Sequence, residues 1–238
     1  MVNWHTKTPT EIFQILKTNE RGLNKKEVDL RLKEYGLNKL PEAKVENPAV
    51  IFLRQFQSPL IYILLAASLA IFYLKEFIDG LIILAVLLFN AIVGALQEGK
   101  AQNTLLALKN FIETNAAVLR DGKEIIIPDS GLVSGDIILL QEGEKIPADA
   151  RIIVSNNLKI DQASLTGESI PVYKTSEKLH REDLAVVDQK NMVFKGTYIA
   201  AGNGQAVVVS TGLDTAIGKI SQKIALIDTE IPLKKDIR

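Results

Sequence analysis

The sequence predicts a mixed membrane protein. It has an N-terminal helical segment, a two-helix transmembrane hairpin with a cytoplasmic stalk, and a β-rich domain of sandwich or distorted jelly-roll type. Three observations predict this. Two runs, Ser58 to Leu74 and Gly80 to Gln97, contain no charged residue. Apolar spacing is helical up to about Asn110 and changes to short strand-like runs from Ala116. Turn residues then punctuate those runs repeatedly. The predicted divisions are 1–48, 58–97, 98–112 and 113–228, followed by a charged linker at 229–238.

The N-terminal segment begins with two helix-start signals. Thr8-Pro9-Thr10-Glu11 fits a capping box with proline at the first helical position. Ile12, Phe13 and Leu16 then form one apolar face. Asn24, with Glu27 three residues on, starts a second helix lined by Val28, Leu32 and Tyr35 and ended by Gly36. Asn38 to Pro48, with two prolines, reads as a linker.

Each uncharged run approaches the roughly 20 residues that a helix needs to cross a bilayer core. Soluble helices seldom lack a polar face over such a length. Only Lys75, Glu76 and Asp79 carry charge between the runs. Lys33, Lys39, Lys44 and Arg54 precede the first run, and Lys100 and Lys109 follow the second. That asymmetry puts both termini in the cytoplasm of a multi-pass integral membrane protein, in the plasma membrane if the source is prokaryotic. Lipid is therefore an expected partner.

No proline interrupts Gly80 to Asn110. A helix of about 30 residues is about 45 Å long, more than the ~30 Å hydrocarbon core. The excess is predicted to project as the stalk, with Ala101, Leu105 and Leu108 on one face and Gly94 and Gly99 as weak points.

From Ala116, AAVLRDGKEIIIP reads as a hairpin turning at Asp121-Gly122. GDIILLQEG, KIPADARIIV, LKIDQASL, NMVFKGTYIAAG and GQAVVVSTG follow as further strands. Helical spacing returns at Thr215 to Ile227 through Ile217, Ile220 and Ile224.

Composition excludes several functions. The 238 residues have a formal net charge of zero, so no basic stripe points to a nucleic-acid partner. There is no cysteine, which removes disulfides, thiolate metal sites and cysteine nucleophiles. The two histidines, His5 and His180, are too far apart in sequence to suggest a metal cluster or a serine triad. The polar N-terminus has no basic start followed by an apolar run, so no cleavable signal peptide is expected.

Several motifs invite chemistry and do not sustain it. Gly212 to Lys219 imitates a phosphate loop but has five residues between its glycines, and Ile220 follows the lysine where serine or threonine is required. Gly202-Asn203-Gly204 reads as a hairpin turn. Asp136, Asp149 and Asp161 sit at strand edges, where acids commonly accept turn hydrogen bonds.

Thr166-Gly167-Glu168-Ser169 is different. Gly167 allows close approach of a bulky anionic partner. Thr166 and Ser169 offer short hydroxyls, and Glu168 could orient and deprotonate a water for in-line attack. Taken alone, the four residues also fit a polar turn.

The stretches NAIVGALQEGKAQNTLLALK, GDIILLQEGEKIPADARII, DQASLTGESIPV, KNMVFKGTYIAAGNG and STGLDTAIGKI, in this order, resemble the N-terminal third of the P-type cation-transporting ATPases. WHTKTPTEIFQILKTNERGLNKKEVDLRLKEYGLNKLP resembles their N-terminal domain. The resemblance implies that 58–97 holds the first two membrane helices and that 113–228, with the N-terminal helices, is the actuator domain. It implies that Glu168 positions the water that hydrolyses an aspartyl-phosphate in another domain, with Thr166, Gly167 and Ser169 shaping the loop. It also implies ATP and Mg2+ for the full-length pump but no cofactor in this chain, a transported cation, and further phosphorylation, nucleotide-binding and membrane domains in cis or trans. The 229–238 linker would lead to a third membrane helix.

The sequence contains no Asp-Lys-Thr-Gly-Thr phosphorylation motif, so catalytic competence of these residues alone is not expected. Ser134 stands where the family usually has proline. The lack of cysteine pairs and histidine tracts argues against the heavy-metal branch. The alternative is a stand-alone membrane-anchored regulatory or structural module without ATPase activity.

Overall fold

The computed structural model describes residues 2–40, 47–110, 114–168 and 170–226. Lys44, Ser169, Ile227 and the 229–238 tail lie outside the described residues, as do the side-chain placements predicted for Leu105, Leu108 and Ile224. The chain forms two compact units, Met1–Pro41 with Thr114–Arg238, and Glu42–Glu113.

Both N-terminal helices start as the sequence predicts. Helix α1 (Pro9–Ile15) is capped by Thr8, whose hydroxyl accepts from the Glu11 N–H while the Glu11 carboxylate accepts from the Thr8 N–H. Helix α2 (Lys25–Tyr35) has the same reciprocal arrangement between Asn24 and Glu27. Ile12 is fully buried against Ile137 and Val207, with Trp4, Phe13 and Leu16 packed around them. Val28 is buried with Leu23 and Val133. Tyr35 departs from expectation: at the last residue of α2 it is exposed, its hydroxyl turned toward Glu34. Asn38 also departs from its reading as linker. It is buried, its amide donates to the carbonyls of Asp129 and Pro147 at 2.9 Å each, and its Oδ1 accepts from Gly212 N–H at 2.9 Å.

In the second unit Asn47 caps a helix that the sequence reading missed, α3 (Pro48–Gln55), by accepting from the Ala49 N–H at 3.0 Å. Pro48 is its first residue, the one helical position where proline costs nothing. Helix α4 (Pro59–Tyr73) follows at a 64° bend. Helix α5 (Phe77–Asn110) runs unbroken through Gly94 and Gly99 for 34 residues. The Ser68 hydroxyl, buried between α4 and α5, donates to the Gly80 carbonyl at 3.1 Å.

Phe77–Thr104 is long and apolar enough to cross a membrane. Most of its large apolar side chains are exposed, Ile78 by 77% and Leu96 by 68%, while Leu87 is buried. The first predicted span is less simple. Helix α4 has 15 residues, about 22 Å, short of the hydrocarbon core. It passes the same length and composition test only together with α3 across the bend.

Beyond residue 114 the described strands form one antiparallel sheet. They are β1 (Asn115–Arg120), β2 (Lys123–Pro128), β3 (Ile137–Leu140), β4 (Asp149–Asp161), β5 (Val172–Tyr173), β6 (Met192–Val193) and β7 (Tyr198–Ser210). The order is β2-β1-β3-β7-β4-β5, with β6 also pairing to β4. The first hairpin turns at Asp121 and Gly122, with φ of 51° and 72°, the two positive values that a type I′ turn requires. Val118 of β1, Ile138 and Leu140 of β3, Ile152 and Ile160 of β4 and Val208 of β7 are buried together in the core.

Two predicted strand pairs are in fact two long strands. KIPADARIIV and LKIDQASL contribute to the single strand β4, and Gly202-Asn203-Gly204 lies inside β7 instead of forming a turn. The register slips between Asn156 and Lys159, where Asn157 has φ 51° and Gly202 has φ 79°. A Cβ on Gly202 would lie 2.4 Å from the Asn157 carbonyl oxygen. This is a bulge, which uses the same residue types as a turn. Helix α6 (Ala163–Thr166) is the single turn that follows β4, and α7 (Ala216–Leu226) ends the described fold.

Candidate functional site

The loop at Thr166 to Glu168 is anchored from below. Asp161, at the end of β4, accepts from the Ala163 N–H, the first of α6, at 2.8 Å. The Ser164 hydroxyl donates to the Gly196 carbonyl at 3.0 Å. Leu165 packs beside Met192, Phe194 and Val209. These contacts fix one side of the loop to the sheet and leave the other free.

Gly167 ends α6 with φ 78° and ψ −6°. No heavy atom would lie within 4 Å of a Cβ there, so the glycine serves the left-handed backbone and not a close internal contact. The Thr166 hydroxyl accepts from the Glu168 N–H at 3.0 Å and lies 3.2 Å from the Gln162 carbonyl. Thr166, Gly167 and Glu168 are all exposed. The structure thus brings three of the four sequence-predicted residues together, and Ser169 is outside the described residues. The chain returns through β5, which pairs Ile160 with Val172 and Lys159 with Tyr173.

The sequence reading missed Lys174. Directly after β5, it is 6% exposed. Its Nζ donates to Gln162 Oε1 at 2.6 Å and to the Gln189 carbonyl at 3.3 Å, and lies 5.9 Å from the centroid of the Phe194 ring. Burial, assisted by repulsion from Lys190, pulls its pKa down to about 7. The only signal in the sequence is a lysine closing the alternating run IPVYK, which ordinarily marks a solvated strand end.

The three other aspartate candidates have structural partners. Asp161 accepts from the Ala163 N–H as just described. Asp136 accepts from the Val133 N–H and pairs with Arg120. Asp149 accepts from the Lys195 N–H at 2.8 Å and the Ala216 N–H at 2.6 Å, and burial pushes its pKa up to about 6. Arg151 is fully buried, its guanidinium donating to carbonyls of Lys7, Ser176 and Ile152, and burial lowers its pKa to about 10. His5 is buried, with Nε2 3.1 Å from the Arg181 carbonyl. The phosphate-loop imitation at Gly212 is filled by the chain itself, since the Gly212 N–H is bound to Asn38 and its Cα faces the Lys39 carbonyl. Among the described residues no three acidic or histidine side chains converge as a metal site.

What remains is an exposed carboxylate at the tip of a backbone-fixed loop. It can present an acceptor to a water held on a surface that docks over it.

Comparison with known proteins identifies the framework. A family model described as the P-type ATPase actuator domain matches residues 110–225. A second, described as the N-terminus of cation transporters and ATPases, matches residues 4–71. The calcium-transporting ATPase of Bacillus subtilis (strain 168) is 38% identical over 224 residues, covering 94% of this chain and 25% of that protein. Calcium-transporting ATPase 1 of Bacillus cereus is 37% identical, covering 100% of this chain and 27% of that protein. The probable cation-transporting ATPase F of Mycobacterium bovis is 39% identical, covering 90% and 24%. The chain therefore spans about a quarter of the length of the curated relatives it matches. With both domains matched in order around an apolar helix and an antiparallel sheet, the chain belongs to the P-type cation-transporting ATPases, as a portion containing their N-terminal region and actuator domain.

Proposed function

We propose that this chain is the actuator and first membrane-hairpin portion of a pump that drives cations across a membrane. In this reading 1–48 and 113–228 form the cytoplasmic actuator assembly, 58–97 the hairpin, and 98–112 the stalk. Both termini lie in the cytoplasm, and 229–238 leads toward a further membrane helix. Glu168 orients the water that hydrolyses an aspartyl-phosphate. Thr166 and Gly167 hold its backbone, and Ser169 completes the loop.

The observation that carries the reading is the contrast at the loop. Its backbone is fixed by Asp161, Ser164 and Thr166, yet the Glu168 side chain is exposed. A carboxylate with no internal task on an anchored loop suits a partner surface that arrives and leaves. The aspartyl-phosphate is not supplied by these residues, because the sequence has no Asp-Lys-Thr-Gly-Thr motif. ATP and Mg2+ are expected requirements of the full-length pump, as the likeness to cation-transporting ATPases suggests. Dephosphorylation by this portion alone is not expected. The similarity to proteins named as calcium- and cation-transporting ATPases makes a cation the expected cargo.

The test is Glu168→Gln in the complete pump. Phosphoenzyme should form normally and decay more slowly, by about the 100-fold or more that a positioned general base contributes. Unchanged decay would remove Glu168 from this role.

A further inference from the structure

Beneath the loop lies a buried amine that the proposed hydrolysis does not itself use. We propose that Lys174 is a positioning residue for the Glu168 loop, acting through Gln162; this rests on the reading of Glu168 above.

The connection is a continuous hydrogen-bonded path. Lys174 Nζ donates to Gln162 Oε1 at 2.6 Å. The Gln162 backbone carbonyl accepts from the Leu165 N–H at 2.8 Å, from the Thr166 N–H at 3.0 Å and from the Thr166 hydroxyl at 3.2 Å. That hydroxyl in turn accepts from the Glu168 N–H at 3.0 Å. Gln162 is 3% exposed, and its Nε2 donates to the Val187 carbonyl at 3.3 Å. Both ends of its amide are thus held, and so is its backbone oxygen.

Packing does not explain a lysine here. A methionine would fill a similar volume without the cost of burying an amine. The amine instead meets neutral acceptors: Gln162 Oε1, the Gln189 carbonyl and the Phe194 ring. The charged group that acts on it is Lys190, which repels it. The contact is directional, because removing the amine strands a buried amide oxygen at the root of α6. Lys174 and Gln162 also flank the loop in sequence, Gln162 directly after the strand that enters it and Lys174 directly after the strand that leaves it. Their bond closes the neck of the loop, so the geometry of Thr166 to Glu168 depends on it. Since the amine titrates near neutrality, the stiffness of that neck depends on pH as well.

Two measurements test this. In the chain itself, in detergent micelles, Lys174→Met should speed amide exchange at Thr166 to Glu168 about tenfold, the scale of one charge-assisted hydrogen bond. Exchange in β4 and β7 should be unchanged. Gln162→Leu should act alike, and the double variant should be no worse than either single one. Should Lys174→Met not fold, Gln162→Leu carries the same test. In the complete pump, Lys174→Met should slow phosphoenzyme decay and abolish the change in decay rate across neutral pH. Unchanged loop exchange in a folded variant overturns the proposal. So does normal decay in Lys174→Met where Glu168→Gln is slow, which leaves the Glu168 reading standing. Normal decay in Glu168→Gln defeats that reading and with it the positioning role.

Discussion

Arg120 and Asp136 meet in a bidentate ion pair, with Nε to Oδ1 at 2.9 Å and Nη2 to Oδ2 at 2.6 Å, and Asp136 is fully buried. Arg120 also donates to the Gly131 carbonyl at 3.0 Å, and Asp136 accepts from the Val133 N–H at 2.9 Å. The pair ties the end of β1 to the turn before β3. Removing one partner leaves the other charge buried and unmatched, which costs about 3–5 kcal/mol. Arg120→Met is therefore expected to lower unfolding stability by that amount. Trp4, the single tryptophan, packs into two apolar clusters of the same unit and reports unfolding by fluorescence in a urea titration. A loss below about 1 kcal/mol, the range of exposed pairs, would show the pair to be solvated.

Gly167→Ala separates backbone conformation from contact. The space around Gly167 is open, so the cost is that of a left-handed residue, about 1–2 kcal/mol. The loop can relieve it by moving, and global stability should fall by no more than that. Phosphoenzyme decay in the complete pump should nevertheless slow, because the Glu168 backbone shifts. Gly167→Asn should be milder on both measures, since asparagine tolerates this region better. A larger effect of Gly167→Asn than of Gly167→Ala would mean that side-chain bulk, and not φ, governs the loop.

Helix starts were legible because capping is local: Thr8 with Glu11, and Asn24 with Glu27, are each spelled within four residues. The Asp121-Gly122 turn was legible for the same reason. Gly202 was misread because a bulge and a turn ask for the same residue, and only pairing across to Asn157 tells them apart. Helix α3 was missed because Asn47-Pro48 reads as linker until a helix is seen to follow it. In the candidate site Thr166, Gly167 and Glu168 stand out from a polar turn only through the family resemblance, and the buried positions of Lys174 and Asn38 are not legible at all. Burial of a lysine or asparagine is a tertiary outcome, and neither residue type announces it.

Asp149 gives the unit an acid-side dependence on pH. Burial outweighs its two backbone hydrogen bonds and the nearby Lys195 and Lys219, raising its pKa from 3.8 to about 6. Between these values the folded state holds a proton that the unfolded state has released. Stability contributed by this group therefore falls as pH rises from about 4 to 6. Asp149→Asn should flatten that slope in urea titrations across the window. It should also weaken the start of α7, where the Ala216 N–H loses a charged acceptor. Parallel wild-type and variant curves would assign the slope to other groups.

Lys174 acts on the alkaline side with the opposite sign. Its pKa falls from 10.5 to about 7 because burial disfavours the ammonium. Between those values the unfolded chain binds the proton and the folded chain does not, so stability rises with pH through the window. Below pH 7 the folded state carries the full cost of a buried charge. Lys174→Met removes both the cost and the hydrogen bond to Gln162. Relative to wild type, the variant should therefore fare best near pH 6 and progressively worse toward pH 10. Measured with Trp4 fluorescence at matched urea increments, a constant difference between the two proteins across this range would mean that the amine stays solvated or unshifted. The buried neck beneath the Glu168 loop would then lack the titrating group assigned to it.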